Sequence, residues 1–205
     1  MDKVKFFDGV RKSGLFRGGL RQPQVDGFEV VLDEGIRRKT PKRHLAYMFA
    51  TDYHETAATM QPVRETRAAT DDRAIAILER AWKAGKLPWV KTPYWRKDAN
   101  GKSWLGRGLV QLTHEPNYER ATMELGVDLL EHPDRAMDMD VAVAIMFEGM
   151  AEGWFTGKKL TDYITPAKAD YKNARRVING LDQATRVAGH AVKFERILTE
   201  SGYDF

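Results

Sequence analysis

Apolar residues recur three or four positions apart in most segments of the chain, and this periodicity restricts the fold more than any other feature. In residues 23–38 these positions are Val25, Phe28, Val31, Leu32 and Ile36. The spacing places side chains on one face of an α-helix. Similar patterns and capping residues predict helices over residues 2–11, 41–55, 73–84, 113–126, 166–178 and 183–200, and another that begins at 133 or 134. The sequence therefore predicts a mainly α fold with little or no β-structure.

The length of the chain favours one domain. A chain of 205 residues is long enough for one sizeable core and short for two, and it contains no internal repeat. We expect a single domain over residues 1–205, in which the N-terminal helices of residues 1–40 pack on a core formed by residues 41–205. Cysteine is absent, so neither a disulfide framework nor a thiolate metal site is predicted.

No segment of the sequence has the pattern of a membrane or export signal. No apolar run follows Met1-Asp2-Lys3, so a secretory signal peptide is not predicted. No stretch approaches the roughly 18 apolar residues that a membrane span requires. We therefore expect a protein that is made in a cytoplasm and does not insert stably into a membrane. If it acts on a cell wall, another factor must release it.

The net charge of +4 and the pI of about 9.2 favour a polyanionic partner, such as nucleic acid, anionic lipid or a bacterial wall. The basic residues form only small clusters, such as Arg37-Arg38-Lys39, and a nucleic-acid-binding face is therefore not predicted. Five scattered histidines without a tight carboxylate cluster predict no catalytic metal. No cofactor is expected.

Glu55 is the first candidate for acid–base chemistry. It ends the predicted helix 41–55 and precedes a run of small residues, Thr56-Ala57-Ala58-Thr59. A carboxyl at the C-terminus of a helix faces the negative end of the helix dipole, which favours its neutral, proton-donating form. A surface glutamate at a helix end would show the same spacing, so the spacing alone does not assign a role.

Glu65 lies ten residues further along and is the first candidate for a second carboxyl. A loop of that length can fold back and place Glu65 across a cleft from Glu55. Two carboxyls in such an arrangement cleave glycosidic bonds, one as the acid and the other as a base or nucleophile. Asp71 and Asp72 are alternative partners, although Thr70 and these two residues also form the pattern of a helix N-terminus.

The segment 85–105 is rich in glycine, proline and aromatic residues and is predicted to be a loop or short strand. Its aromatic side chains include Trp89, Tyr94, Trp95 and Trp104. Aromatic residues in an irregular segment indicate a binding surface, and we expect Trp104 to contact the substrate. Core packing is the alternative explanation for any one of them.

Three separated segments together resemble glycoside hydrolase family 19, which contains chitinases and phage endolysins. The first, residues 50–56, ends in Tyr53-His54-Glu55-Thr56. The second is Leu105-Gly106-Arg107-Gly108-Leu109-Val110-Gln111-Leu112-Thr113, followed by Asn117-Tyr118. The third is Arg176-Val177-Ile178-Asn179-Gly180. The resemblance implies a lysozyme-like helical domain with a two-lobed substrate cleft.

The resemblance also implies roles for particular residues. Glu55 matches the general acid, Glu65 the general base, and Thr113 the hydroxyl residue that holds the attacking water. The family inverts the configuration of the sugar, which requires the carboxyls to lie roughly 6.5–9.5 Å apart.

Further matches concern the substrate. Gln111, Asn117, Tyr118 and Asn179 match sugar-contacting positions, and His54 precedes the acid, where it orients Glu55 or contacts the sugar. For Arg107 we expect a structural role, in which it braces the cleft by pairing with a carboxylate.

The sequence departs from the family pattern around the base. The loop before Glu65 is one residue longer than in several phage relatives, so a nearby aspartate remains an alternative base. In plant relatives an arginine and a glutamate near the third segment join the catalytic carboxylates. No equivalent glutamate follows Asn179, and the equivalent arginine falls on Arg186 or His190, depending on the alignment.

Peptidoglycan is the substrate that we favour over chitin. The domain is compact, lacks the disulfides of secreted plant chitinases, has no signal peptide or appended chitin-binding module, and carries a positive charge. This profile predicts a monomeric phage endolysin with N-acetylmuramidase activity. Such a protein accumulates in the cytoplasm of the infected host and reaches the periplasm with the help of a holin. Glucosaminidase activity, a chitinase, and a non-catalytic wall-binding protein remain alternatives.

Overall fold

The computed structural model describes all residues, 1–205, as seven α-helices and one small sheet. The helices are α1 (Lys3–Lys12), α2 (Gln22–Arg37), α3 (Lys42–Glu55), α4 (Asp71–Lys83), α5 (Glu115–Leu125), α6 (Met139–Glu152) and α7 (Ala184–Glu200). Short 3₁₀ helices cover Glu65–Arg67, Pro133–Met137, Leu160–Asp162 and Asn173–Val177. The prediction of a mainly α fold is confirmed. None of the helices has the length and apolar character needed to span a membrane.

Helix α3 is the centre of the larger lobe. Every residue from Leu45 to Asp52 is buried, so the helix has no solvated face along this stretch, as expected for a helix enclosed by other elements. Its main neighbour is α7, where the ring of Phe194 lies 5.5 Å from that of Phe49, centroid to centroid. This packing fixes the direction in which α3 ends, and therefore the position of Glu55.

The N-terminal helices share this core. Phe6 of α1 lies 5.8 Å from Phe28 of α2 and 5.7 Å from Phe49 of α3, centroid to centroid. All three rings are fully buried and belong to one continuous cluster of 42 buried residues. Burial of such large aromatic side chains stabilises the fold by roughly 2–3 kcal/mol each. Residues 1–40 are therefore integral to the larger lobe.

A smaller lobe surrounds α4. It has a separate apolar cluster of four buried residues, Ala74, Leu78, Trp95 and Leu105. Thr70 caps α4 by accepting a hydrogen bond from the backbone of Arg73 at 3.3 Å, as the sequence predicts. The two apolar clusters correspond to two lobes, and a cleft lies between them.

A two-stranded antiparallel sheet connects the lobes. Strand β1 (Val63–Arg64) pairs with β2 (Arg107–Gly108), and the register places Val63 opposite Gly108. The pairing continues one residue further, because the N–H of Glu65 donates to the carbonyl of Gly106 at 2.7 Å. The sheet therefore holds Glu65 beside the Gly-Arg-Gly segment.

One predicted helix is wrong, and the predicted cap of another is misplaced. Residues 166–178 do not form an α-helix: a bridge joins Ile164 to Ala169, and only Asn173–Val177 is helical, as a 3₁₀ turn. The side chain of Asp170 accepts the backbone N–H of Asn173, as an N-cap residue does, so the helical turn starts only after Asp170. The helix predicted from Thr113 begins instead at Glu115, because the Thr113 hydroxyl bonds to the carbonyl of Gln111.

Candidate active site

A cleft of ≈ 1160 Å³ lies between the two lobes. Its lining includes six of the residues expected to act on or bind the substrate: Glu55, Glu65, Gln111, Thr113, Asn117 and Asn179. These residues come from the end of α3, the segment after β1, the segment that leads into the first turn of α5, and the turn before α7. Tertiary folding thus brings together four stretches that are far apart in sequence, and both candidate carboxyls face the same cavity.

Glu55 is bound to a buried arginine. Nη1 of Arg175 donates to Oε1 of Glu55 at 2.5 Å, and the side chains are 3% and 16% exposed. The guanidinium is itself held in place, since its Nε donates to the carbonyl of Asp182 at 3.0 Å. Arg175 therefore fixes the orientation of the Glu55 carboxyl.

Arg175 is the functional candidate that sequence reasoning missed. The resemblance places the family's additional arginine at Arg186 or His190, whereas the arginine that pairs with Glu55 in the structure is Arg175. Arg186 is exposed on α7. His190 packs against Tyr53, with ring centroids 4.7 Å apart. The sequence signal that could have drawn attention to Arg175 is the doublet Arg175-Arg176, which leads into the third segment. The structure shows that only Arg175 of the two is buried.

His54 lies beside Glu55 but does not line the cleft. Burial lowers the pKa of His54, while the nearby charge of Glu55 acts in the opposite direction. Burial and the positive charge of His54 also lower the pKa of His190, to about 4. Of the two roles expected for His54, the position next to Glu55 favours orientation of that side chain over sugar contact.

Glu65 is held at both carboxyl oxygens. The hydroxyl of Tyr94 donates to Oε1 at 2.6 Å, and the backbone N–H of Gly106 donates to Oε2 at 2.9 Å. Burial and the neighbouring Glu65 carboxylate raise the pKa of Tyr94, so the phenol remains a neutral donor. The ring of Tyr94 packs edge-on against His114, with centroids 4.6 Å apart. This arrangement leaves the Glu65 carboxylate with little rotational freedom.

Gly106 allows the backbone to approach Glu65 closely. A Cβ atom at this position would lie 2.9 Å from Oε1 of Gln111 and 3.2 Å from Oγ1 of Thr113. Gly106 thus bonds to the Glu65 carboxylate and also lies against these two side chains, and no larger residue fits without displacing them.

The amide side chains of the lining make specific backbone contacts. Nε2 of Gln111 donates to the carbonyl of Val63 at 2.8 Å, which joins the two strand segments. Nδ2 of Asn117 donates to the carbonyl of Thr113 at 2.8 Å. Asn179 is exposed, and its Oδ1 accepts the N–H of Gly180 at 2.8 Å. Gln111 and Asn117 therefore shape the floor of the cleft, and Asn179 has a free amide group at its edge.

Arg107 is completely buried and pairs with Asp71. Asp71 also accepts a hydrogen bond from Nε of Arg64 at 2.7 Å. Burial alone would raise the pKa of Asp71, but the hydrogen bonds and charges of the two guanidinium groups outweigh burial and lower it. Asp71 does not line the cleft, and Asp72 is 80% exposed and paired with Lys97. Neither aspartate is placed to replace Glu65.

Two residues expected to contact the sugar are in the wrong place for it. Tyr118 is fully buried, and its hydroxyl accepts from Arg107 at 2.7 Å and donates to the carbonyl of Leu105 at 2.7 Å. Trp104 is 7% exposed, packs on Tyr118 and does not line the cleft. The two rings belong to the core, so their predicted role as substrate contacts is wrong. Trp89, which is 73% exposed, is the tryptophan that lines the cleft.

A known protein family matches most of the chain. No solved structure matches the chain significantly. Residues 25–187 match the family described as chitinase class I, glycoside hydrolase family 19, and this range covers most of the chain and every cleft segment described above. The chain therefore belongs to the class I chitinase family of glycoside hydrolases, the lysozyme and chitinase type.

Proposed function

We propose that the protein is an endolysin that hydrolyses β-1,4 glycosidic bonds of bacterial peptidoglycan as an inverting N-acetylmuramidase. The observation that carries the catalytic part is the shared cleft, in which Glu55, Glu65 and the Thr113 hydroxyl residue line one cavity. Cleavage with inversion needs an acid on one side of the bond and a base with a water on the other.

Glu55 acts as the general acid. It protonates the leaving oxygen and becomes a carboxylate as the bond breaks. Arg175, at 2.5 Å, stabilises the charge that develops on Glu55 in this step. Preorganised charges of this kind lower the barrier because they need no rearrangement during the reaction.

Glu65 acts as the general base for a water that Thr113 helps to position. The Thr113 hydroxyl donates its proton to the carbonyl of Gln111 at 2.7 Å, so its oxygen remains free to accept a hydrogen bond from the water. The second proton of that water is then directed to Glu65, whose carboxylate is fixed by Tyr94 and Gly106. The water attacks the anomeric carbon from the face opposite the leaving oxygen.

The peptidoglycan assignment is supported by charge. The chain has a net charge of +4, which favours an anionic wall over a neutral polymer. Acting in the periplasm then follows as part of the proposal, with accumulation in the host cytoplasm and release that depends on a holin. A chitinase is the second candidate, favoured by the description of the matched family. A non-catalytic wall-binding protein has no need for a paired set of Glu55, Glu65 and Thr113.

The test is to digest purified peptidoglycan and colloidal chitin in parallel and to identify the products by mass spectrometry. Products with muramic acid at the reducing end support the proposal, and inverted anomers seen by NMR support the roles of the two carboxyls. Reducing-end glucosamine from peptidoglycan would assign a glucosaminidase. Soluble products from chitin alone would assign a chitinase, and no products from either would support a binding protein.

A further inference from the structure

Three cationic side chains line the cleft without a carboxylate partner. Lys91, Lys158 and Arg176 are exposed, and no acidic oxygen lies within 4 Å of their charged groups. Their sequence neighbours behave differently. Lys159 pairs with Glu152 at 2.7 Å, and Arg175 pairs with Glu55. The residues that point into the cleft are therefore the ones whose charge is not neutralised within the protein.

The three cations lie on both lobes. Lys158 and Arg176 belong to turns that are tied together, because the hydroxyl of Thr156 donates to the carbonyl of Arg176 at 2.6 Å. Lys91 lies in the loop of the smaller lobe, directly after Val90, whose carbonyl accepts from Nε1 of Trp82 at 3.0 Å. The backbone next to each cation is thus held by a hydrogen bond, which keeps the three positive charges at the cleft.

The acidic groups of the cleft do not compensate for these charges. The lining contains two carboxylates, Glu55 and Glu65, and Glu55 is already paired with the buried Arg175. Cations that share a cleft repel one another, and a cleft lined by one sign of charge attracts ligands of the opposite sign. An unbranched polymer of N-acetylglucosamine is neutral and provides no such group.

We propose that Lys91, Lys158 and Arg176 bind carboxylate groups on the branches of the glycan, so that the enzyme selects a strand with acidic branches over a neutral one. This inference rests on the proposed function and specifies how the same cleft chooses its substrate. The lysines act as exposed point charges, and Arg176 can also bind a carboxylate through two parallel hydrogen bonds.

The experiment compares two forms of the same peptidoglycan, one untreated and one whose carboxyls are converted to neutral amides with carbodiimide and ammonia. Chitin oligosaccharides are the third substrate. The enzymes are the wild type, the triple variant Lys91→Gln, Lys158→Gln, Arg176→Gln, and the control Lys86→Gln. Lys86 is an exposed lysine of the same loop that does not line the cleft.

We expect the triple variant to lose about tenfold in kcat/KM on untreated peptidoglycan, mainly through KM, since three exposed ion pairs each contribute modestly to binding. Amidation should reduce the wild-type rate to a similar extent and leave the triple variant unchanged. The Lys86→Gln control should respond as the wild type does.

An equal loss by the triple variant on untreated and amidated peptidoglycan would overturn this inference and leave the muramidase proposal intact. Equal wild-type rates on the two forms would do the same. Cleavage of chitin oligosaccharides by the wild type, without cleavage of either peptidoglycan, would overturn both.

Discussion

Arg175 and Glu55 are 120 residues apart in sequence, and Nη1 of the arginine lies 2.5 Å from Oε1 of the glutamate. The arginine is 3% exposed, so the pair lies at the boundary between core and cleft. Helix α3 ends at Glu55, which fixes the position of the glutamate backbone, and the bond to Arg175 fixes the direction of its side chain. The Glu55 carboxyl is therefore positioned by two segments that only tertiary folding brings together.

Replacement of either member of this pair should abolish or strongly reduce turnover. Glu55→Gln should fold normally and lose about 10²–10⁴-fold in kcat, because the proton donor is gone. Arg175→Met should lose about 10–100-fold, since hydrogen bonds to charged groups contribute about 1.5–3 kcal/mol. The measurement is the kcat for release of reducing ends from peptidoglycan, with circular dichroism to check folding.

Arg186→Gln is the matched control, because Arg186 is one of the two positions that the family resemblance offered, and it is exposed on α7. Its kcat should stay within about threefold of the wild type. A folded Arg175→Met protein with the wild-type kcat would contradict the role of Arg175, and Arg175→Lys should recover part of the loss.

Substitutions of Glu65 and Asp71 should have different effects, the first on activity and the second on stability. Glu65→Gln should lose about 10²–10⁴-fold in kcat with little change in the free energy of unfolding, because Glu65 lines the cleft. Asp71→Asn should instead destabilise the fold by on the order of 3 kcal/mol, because the fully buried Arg107 loses its charged partner. The measurements are kcat on peptidoglycan and urea unfolding.

Asp72→Asn is the control for both, since Asp72 is 80% exposed and its pair with Lys97 contributes less than about 1 kcal/mol. If Asp71→Asn were as stable as the wild type but inactive, the base would have to be reassigned to Asp71.

Tyr94→Phe should reduce kcat about tenfold and change KM little. The substitution removes the 2.6 Å hydrogen bond to Glu65 but keeps the ring that packs on His114. A hydrogen bond to a charged group contributes about 1.5–3 kcal/mol, part of which the Gly106 N–H retains by holding the other oxygen. Steady-state kinetics with soluble glycan strands gives kcat and KM separately.

Tyr163→Phe, outside the cleft, is the control and should leave both constants unchanged. A rise in KM alone for Tyr94→Phe would argue against a positioning role for Tyr94.

Asp52→Asn should stabilise the protein at neutral and alkaline pH. Asp52 is fully buried on α3, neither of its carboxyl oxygens has a hydrogen-bond partner, and burial raises its pKa well above the usual value. The folded state keeps the proton while the unfolded state releases it above about pH 4, so the wild type loses stability as pH rises, by up to about 1.4 kcal/mol per pH unit.

The advantage of Asp52→Asn should therefore be small at pH 4 and grow towards pH 8, as measured by urea unfolding across that range. Asp204→Asn, an exposed aspartate near the C-terminus, should show no such trend. A constant difference between Asp52→Asn and the wild type at all pH values would contradict protonation of Asp52 in the folded state.

Local sequence patterns were sufficient for most of the helical fold. The predicted helices 2–11, 23–38 and 183–200 agree with α1, α2 and α7 to within one or two residues, because the apolar period and the capping residues are local properties. The failure at residues 166–178 has a local cause as well: Asp170 accepts the N–H of Asn173 as an N-cap residue does, so the helical turn starts later than the apolar period indicates.

In the candidate site, too, some features follow from local sequence and others only from the tertiary structure. The sequence by itself determined Glu55 at the end of a helix and the Gly-Arg-Gly segment, since motif and helix end are both contained in short stretches. Only the tertiary structure decided that Arg175, and not Arg186, meets Glu55, that Tyr94 meets Glu65, and that Tyr118 and Trp104 belong to the core. The physical reason is that pairing and burial depend on which distant segments pack together, and no local spacing encodes that.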